Sequence, residues 1–190
     1  MTVSKPMDNI QRGSALSLKT VAFNIGRRIG KHPLASRVFY LSERFLPVER
    51  LARSEHVAAF RHPRPSWIPH ILIVPTTPFP ELVTSKLSLE RKSEILGEML
   101  ALAQQVAATE DTDASWFVII NGGIRQEIGQ VHGHLIHEPH DVGEPTHSIA
   151  TANGWKPLLE TLQRANEVPD NGYSLVILLD QEIAWVSESQ

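Results

Sequence analysis

The stretch 126–137 constrains this chain more than any other, because its side chains alternate as the two faces of an extended strand do. Next-but-one side chains on a strand are separated by roughly 7 Å, so two imidazoles and one amide would stand in a row on one face. That spacing suits the binding and attack of a single phosphate group. This predicted face carries Ile128, Gln130, His132, His134 and Ile136.

Length and composition predict one soluble globular domain over residues 1–190. The chain has 190 residues, which is enough to bury a hydrophobic core, and its 42% hydrophobic and 21% charged residues are typical of such proteins. A net charge of -3 offers no electrostatic basis for nucleic-acid binding. The absence of cysteine excludes disulfides and thiolate chemistry. We expect no membrane span and a cytoplasmic location, since the polar residues 1–13 contain no signal core and suggest a disordered lead.

The order of predicted elements indicates an α+β fold with an antiparallel sheet. Hydrophobic spacing predicts an amphipathic helix over 14–30 and a longer helix over 88–109. Between them, the apolar run 68–75 is typical of a buried strand. Strand 115–121 and the motif strand should form a hairpin or meander, followed by a loop over 138–153. A helix over 155–165 and a terminal hairpin, with strands 173–179 and 183–186, complete the prediction.

Two separated motifs in this sequence resemble those of the histidine triad (HIT) superfamily of nucleotide hydrolases and transferases. The first is Gln130-Val131-His132-Gly133-His134-Leu135-Ile136, with Gln130 in place of the first triad histidine. The second is Ile68-Pro69-His70-Ile71-Leu72-Ile73-Val74-Pro75, which is similar to the upstream strand of that family. The resemblance implies a HIT-like antiparallel sheet with one long central helix and a core of about residues 35–140. The N-terminal helix and the C-terminal helix and hairpin would be additions to it.

The resemblance also implies roles for the polar residues of these motifs. His132 takes the place of the nucleophile, which would form a nucleotidyl-histidine intermediate, and the main-chain carbonyl of Gln130 would orient its ring. A neutral imidazole is a competent nucleophile near pH 7. His134 and Gln126 would bind phosphate oxygens, and His70 would support the triad from beside it. A hydrogen-bonded structural histidine is the alternative for His132 and, above all, for His70.

Residues near the motif are candidates for ligand binding. Asn121 would contact ribose or phosphate, Gly123 would allow close approach of the backbone, and Arg125 would add positive charge. Glu127 stands where the family usually has Ser or Thr, and strand alternation predicts that its side chain lies on the opposite face. The candidates for the nucleobase wall are Phe60, Trp67 and Ile68, although apolar core is an alternative for each.

Two other functions remain open. His132, His134, His137 and His140 have a spacing that could hold zinc, although His137 should point to the opposite face of a continuous strand. A non-catalytic nucleotide-binding protein is the other alternative. The HIT mechanism itself requires no cofactor. We expect a nucleotide-containing small molecule as ligand and, from the resemblance, a homodimer, whereas the sequence does not identify the base or the leaving group.

Overall fold

A computed structural model of the protein describes residues 48–110, 114–137, 148–150, 155–164, 172–180 and 183–188. The helix predicted over 14–30 and the disordered lead predicted over 1–13 lie outside the described residues. The fold below therefore concerns the described ranges, which include both sequence motifs.

The described residues form one antiparallel sheet with one long helix, as the sequence predicted. The strand order across the sheet is β1-β2-β3-β5-β4-β7-β8-β6, and every neighbouring pair is antiparallel. The architecture is therefore α+β, which agrees with the fold that the resemblance implied. In chain order the elements are β1 (Arg50–Arg53), β2 (Val57–Arg61), β3 (His70–Pro75), α1 (Leu89–Ala107), β4 (Trp116–Gly122), a 3₁₀ turn (Gly123–Arg125), β5 (Gly133–His137), β6 (Ser148–Ala150), α2 (Lys156–Arg164), β7 (Tyr173–Leu178) and β8 (Ile183–Glu188).

Helix α1 begins and ends close to the predicted positions because its sequence carries both a cap and an apolar stripe. The Ser88 hydroxyl accepts a hydrogen bond from the Arg91 backbone N–H at 3.2 Å, which satisfies one of the unpaired donors of the first turn. The residues that α1 buries recur at helical spacing, so the helix packs one side against the rest of the molecule. Its buried apolar side chains are Ile95, Leu96, Met99, Leu102, Ala103 and Val106.

The hydrophobic core lies mainly between α1 and the sheet. Ile71 and Ile73 of β3 and Leu135 of β5 belong to this cluster, and each is fully buried. On the other face of the sheet, Phe60, Leu72 and Val74 form a smaller cluster. Side chains alternate along β3, so its odd-numbered residues lie in the main core. Its even-numbered residues, which include His70, lie on the opposite face of the sheet.

The C-terminal elements share this core rather than standing apart from it. Trp155 beside α2 and Tyr173 and Leu175 of β7 are buried in the same cluster as Ile71. Strand β7 pairs with β4 from Phe117↔Leu178 to Gly122↔Tyr173. The terminal hairpin is therefore an integral part of the sheet. Strand β6 lies in the segment that was predicted to be loop, and its three residues pair with β8.

Strand β5 is shorter than the motif predicted. It begins at Gly133 and not near Gln126, because the chain before it packs against the segment that follows β3. The Val131 backbone N–H donates to the Phe79 carbonyl at 2.7 Å, and that contact replaces a bond to a neighbouring strand. The predicted hairpin of β4 and β5 is confirmed, with a register from Trp116↔His137 to Ile120↔Gly133.

Candidate functional site

Neighbouring strands place two histidines on one face of the sheet. In the antiparallel register of β3 and β5, His70 lies opposite Ile136, and Leu72 lies opposite His134. His70 and His134 are therefore diagonal neighbours on the face away from α1. Their ring nitrogens meet, with Nε2 of His70 at 2.8 Å from Nδ1 of His134.

The protonation of this pair is fixed by the backbone. The Ser66 N–H donates to Nδ1 of His70 at 3.3 Å, so the ring proton of His70 is on Nε2. His70 consequently donates to Nδ1 of His134. The proton of neutral His134 must then be on Nε2, which makes that atom a hydrogen-bond donor.

His132 is held in the complementary tautomer. Its Nδ1 lies 2.9 Å from the carbonyl oxygen of Gln130, and a carbonyl can only accept. The ring proton is therefore on Nδ1, and Nε2 carries a lone pair. The His132 ring is buried, and its centroid is 4.9 Å from that of His134 in an edge-on arrangement. The lone pair on Nε2 of His132 and the N–H group at Nε2 of His134 thus belong to adjacent imidazole rings.

Burial keeps these imidazoles neutral. Loss of solvation lowers the pKa of His132 and lowers that of His134 well below its ordinary range, where neighbouring histidines add to the effect. The pKa of His70 falls to about 3, chiefly through burial and then through His62 and His132. A neutral His132 is required for nucleophilic chemistry, so the environment favours the reactive form.

Gln130 occupies the first triad position, but its side chain does not join the row of imidazoles that strand alternation predicted. Its amide nitrogen donates to the carbonyls of Pro75 and Thr77, at 2.9 Å each. Its amide oxygen accepts from the Phe79 N–H at 3.1 Å. These partners form a turn after β3, so the buried amide clamps that turn while the carbonyl of the same residue faces His132.

Gln126 also differs from the prediction that it donates to phosphate oxygens. Its amide nitrogen donates to the carbonyls of Pro80 and Ile128, at 2.5 and 2.7 Å. The side chain is buried, and within the described residues its Oε1 atom has no hydrogen-bond partner. Both N–H groups of the Gln126 amide donate to backbone carbonyls, so this side chain holds the loop that precedes His132. It does not line the cavity described next.

A cavity of about 340 Å³ opens beside His134. Asn121 and Arg125, two of the predicted ligand-binding residues, line it. Arg125 donates to Ser174 Oγ at 2.8 Å, and the Ser174 hydroxyl donates to Asn121 Oδ1 at 2.7 Å. Gly123 lies between them with a φ of 60°, a backbone conformation that favours glycine, so its place in the turn explains its presence.

Five further residues that line this cavity were not among the predicted site residues. They are His62, Arg64, Ser66, Ile119 and Glu127. The prediction that the Glu127 side chain lies on the opposite face was wrong, because Glu127 lines the cavity. The segment 126–132 is not a strand, so strand alternation does not apply to it. His62 stacks on His70 with a centroid distance of 4.1 Å and an interplanar angle of 5°. His62 directly follows β2, and its backbone N–H donates to the His70 carbonyl at 2.9 Å. Its position next to a strand that pairs with β3 is the sequence feature that could have identified it.

The three candidates for the nucleobase wall have different surroundings. Phe60 is buried in the small core cluster with Leu72 and Val74, so it matches the core alternative and not a ligand wall. Trp67 lines the cavity and packs edge-on against His70 at a centroid distance of 5.0 Å. Ile68 is 93% exposed and borders an adjoining cavity that it shares with Trp67.

The metal alternative finds no support among the described residues. No group of three or more His, Asp or Glu side chains is placed there to hold a metal ion. The ring of His137 packs edge-on against Trp116 at 3.8 Å, on the face of the sheet away from His134. His140, the fourth candidate ligand, lies outside the described residues. Of the helices that the structure describes, none has the length and apolar character needed to cross a membrane.

Solved structures with a similar chain path include three bacterial proteins. A histidine triad protein from Clostridium difficile is 21% identical, with a TM-score of 0.46, and the match covers 58% of this chain and 94% of that one. A HIT family hydrolase from Legionella pneumophila is 23% identical, with a TM-score of 0.44 and coverage of 58% and 97%. A HIT family hydrolase from Clostridium thermocellum is also 23% identical, with a TM-score of 0.44 and coverage of 56% and 94%.

The family assignment rests on a match along the sequence. A family model described as the HIT domain matches residues 44–141, which is just over half of the 190-residue chain. The matched segment includes β3, the central helix α1, and His132 and His134 at the start of β5. The chain therefore belongs to the HIT family.

Proposed function

We propose that this protein is a nucleotide hydrolase or nucleotidyl transferase in which His132 forms a covalent nucleotidyl-histidine intermediate. Membership of the HIT family supports a nucleotide-related function. The single observation that carries the finer proposal is the tautomer of His132, whose Nδ1 donates to the Gln130 carbonyl at 2.9 Å. The lone pair on Nε2 is thereby available for attack on phosphorus, beside the N–H of His134.

In the first step, a bond forms between His132 Nε2 and the α-phosphorus of the nucleotide, and the bond from that phosphorus to the leaving group breaks. The electron pair of the broken bond departs with the leaving group. The N–H of His134 would donate to a non-bridging oxygen, where negative charge increases in the transition state. Because the donor is already oriented by His70, little reorganisation is needed at the moment of reaction.

In the second step, water attacks the phosphorus and the bond to Nε2 breaks, which releases a nucleoside monophosphate and returns His132 to its neutral form. The water loses one proton to solvent or to a neighbouring base. A different acceptor in place of water would make the protein a transferase. His132 is not required to exchange its Nδ1 proton in either step, so its bond to the Gln130 carbonyl can persist throughout.

Chemical rescue would test the role of His132. His132→Gly should lower kcat for nucleoside phosphoramidates and dinucleoside polyphosphates by about 10³-fold or more, the loss typical of a removed nucleophile. Added imidazole should restore a measurable part of the turnover, because it can attack from the vacated position. His56→Gly is the matched control, since His56 lies in the turn between β1 and β2. Ligand-dependent melting without turnover of any substrate by the wild-type protein would support the binding-only alternative instead.

A further inference from the structure

The C-terminal strand β7 places a buried hydroxyl next to the cavity beside His134. Asn121 of β4 and Ser174 of β7 are direct partners across the two strands, so their side chains lie on the same face of the sheet. Ile119, two residues before Asn121, is the partner of His134, which places that histidine on this face as well. Asn121 lines the cavity, whereas Ser174 is buried. Any effect of Ser174 on a ligand would therefore pass through a neighbour such as Asn121.

Strand β7 lies beyond the match to the HIT domain, which ends at residue 141. Its first residue, Tyr173, nevertheless packs closely against the turn that follows β4. The Tyr173 ring fills the space in which a side chain of residue 122 would lie, so a Cβ atom at Gly122 would overlap it. The Tyr173 hydroxyl donates to Glu81 Oε1 at 2.7 Å, which holds the ring at its other end. The first residues of β7 thus have a fixed position relative to the end of β4.

Arg125 sets the direction of the hydrogen bonds around Ser174. A guanidinium group has no acceptor, so Nη1 of Arg125 must donate to Ser174 Oγ, over 2.8 Å. The hydroxyl hydrogen of Ser174 is then available for Asn121, whose Oδ1 lies 2.7 Å away. If the Asn121 amide were turned over, its N–H group would face Ser174, and the buried hydroxyl would lose this acceptor. The two bonds therefore favour one orientation of the amide.

That orientation determines which end of the Asn121 amide faces a ligand. Because Oδ1 is bound to Ser174, the amino group Nδ2 is the end that remains for the cavity. An amino group attracts the acceptor oxygens of a phosphate or a ribose, whereas an amide oxygen would repel a phosphate oxygen. The direction of the bond from Ser174 thus decides between an attractive and a repulsive contact.

We propose that Ser174 is a positioning residue that holds the Asn121 amide with its N–H groups toward the bound nucleotide. The inference rests on the proposed function for the identity of the ligand, and on the hydrogen bonds alone for the orientation of the amide. It gives β7 a part in ligand binding in addition to its part in the sheet. Asn121 would contact the ligand in the ground state and in the transition state alike. Loss of its orientation should therefore weaken binding more than it slows the chemistry at His132.

The variant Ser174→Ala removes the hydroxyl and keeps the backbone of β7. We expect KM for a nucleoside phosphoramidate to rise about tenfold, the effect of one lost hydrogen bond, while kcat stays within about threefold. Ser115→Ala is the matched control, because the Ser115 hydroxyl bonds to Asp180 at the opposite end of the same strand pair. A fall in kcat with unchanged KM would overturn the proposal, as would an equal rise in KM for Ser115→Ala.

A double variant tests whether Ser174 acts through Asn121. Asn121→Ala should itself raise KM, because it removes the amide that faces the ligand. Addition of Ser174→Ala to that variant should raise KM by less than about threefold more, since no amide remains to be oriented. Two effects that multiply in full would show that Ser174 acts by another route and would overturn the proposal.

Nitrogen-15 NMR of the Asn121 side chain needs neither turnover nor a ligand. The amide signals are assigned by their absence from Asn121→Ala, and the wild-type protein and Ser115→Ala should each show one pair of them. In Ser174→Ala we expect extra or broadened signals, because the amide can adopt both orientations. Unchanged signals would overturn the proposal whatever the activity of the protein.

Calorimetry with a panel of nucleoside 5′-monophosphates separates this inference from the proposed function. If the wild-type protein turned over no substrate, the proposed function would fail, but ligand binding would still report on Ser174. Binding that is at least fivefold weaker in Ser174→Ala than in the wild-type protein would support the positioning role. Equal binding, or none by either protein, would overturn it.

Discussion

His70 donates a hydrogen bond from Nε2 to Nδ1 of His134 over 2.8 Å, and the direction of that bond is set by the Ser66 N–H on the far side of the His70 ring. The bond joins β3 to β5 across the sheet. It leaves His134 with its proton on Nε2, the atom that is suited to a phosphate oxygen. His70 is therefore a positioning residue for His134, and its role can be measured separately from that of the nucleophile.

Replacement of His70 by Phe should lower kcat by about tenfold or more, a smaller effect than the roughly 10²–10³-fold cost of removing a transition-state donor outright. Without the donor, His134 can take the other tautomer, in which Nε2 is an acceptor that repels a phosphate oxygen. Nitrogen-15 NMR of His134 reports the tautomer directly, and we expect a mixture of forms in His70→Phe. An unchanged Nε2–H form with unchanged kcat would show that the backbone and not His70 positions His134.

Gln130 should matter more for stability than for chemistry. Gln130→Ala leaves the Phe79 N–H and the Pro75 and Thr77 carbonyls without their partner, which we expect to lower the free energy of unfolding by about 3 kcal/mol. Urea denaturation measures this loss, and Gln104→Ala on the exposed side of α1 is the control, with a change within about 0.5 kcal/mol. The carbonyl that orients His132 survives the substitution, so folded Gln130→Ala should keep turnover within a few-fold. A stable protein with no turnover would reverse the two roles.

Gly133 lies between His132 and His134 and allows no side chain. A Cβ atom there would lie 2.9 Å from Val118 Cγ1 and 3.5 Å from Met99 Cε, on the crowded side that faces α1. Gly133→Ala should therefore destabilise the protein by about 1–3 kcal/mol, as overpacking does. The double variant with Val118→Ala should recover part of that loss, as thermal unfolding would show. Gly97→Ala is the control, because no atom lies within 4 Å of the added Cβ and the residue is helical, so it should be neutral or stabilising.

Stability should fall as the pH is lowered below about 6.5. Burial lowers the pKa of His62, His70, His132 and His134 in the folded protein, whereas an unfolded chain has the ordinary value. Between those values the unfolded state binds more protons, so acid favours unfolding. The window reaches down to about pH 3 for His70. Urea midpoints at pH 7.5 and pH 5 measure the effect, and His70→Phe should reduce the difference between them. Equal midpoints for the wild-type protein would contradict the burial of neutral histidines.

The sequence was sufficient for those parts of the fold that depend on local patterns. Helix α1 has its cap at Ser88 and an apolar stripe, and β3 is a buried run ended by Pro75. Strand β1 (Arg50–Arg53) was not predicted, because it is short and polar and only Leu51 and Ala52 are partly buried. An edge strand of this kind depends on its pairing with β2 more than on its own composition.

The sequence predicted the site residues that lie within one local motif. It did not predict contacts between segments that are far apart in the sequence. His132 and His134 are two residues apart, and His70 belongs to a second recognisable motif. Gln126 and Gln130, in contrast, bond to backbone groups between residues 75 and 80, about fifty positions earlier in the chain. The alternation of side chains along a strand gives no information about such distant partners. The prediction that the Gln130 amide lies in a row with His132 and His134 was therefore wrong.

The central claim is that His132 becomes covalently nucleotidylated, and mass spectrometry of the rapidly quenched protein, intact and after digestion into peptides, tests it most directly. The wild-type protein, mixed with a dinucleoside triphosphate or a nucleoside phosphoramidate, should gain the mass of one nucleoside monophosphate on the peptide that contains His132. His132→Asn should show no such adduct, while His56→Asn should behave as the wild type. Turnover by the wild-type protein through an adduct on another residue, or an adduct that persists in His132→Asn, would contradict the account.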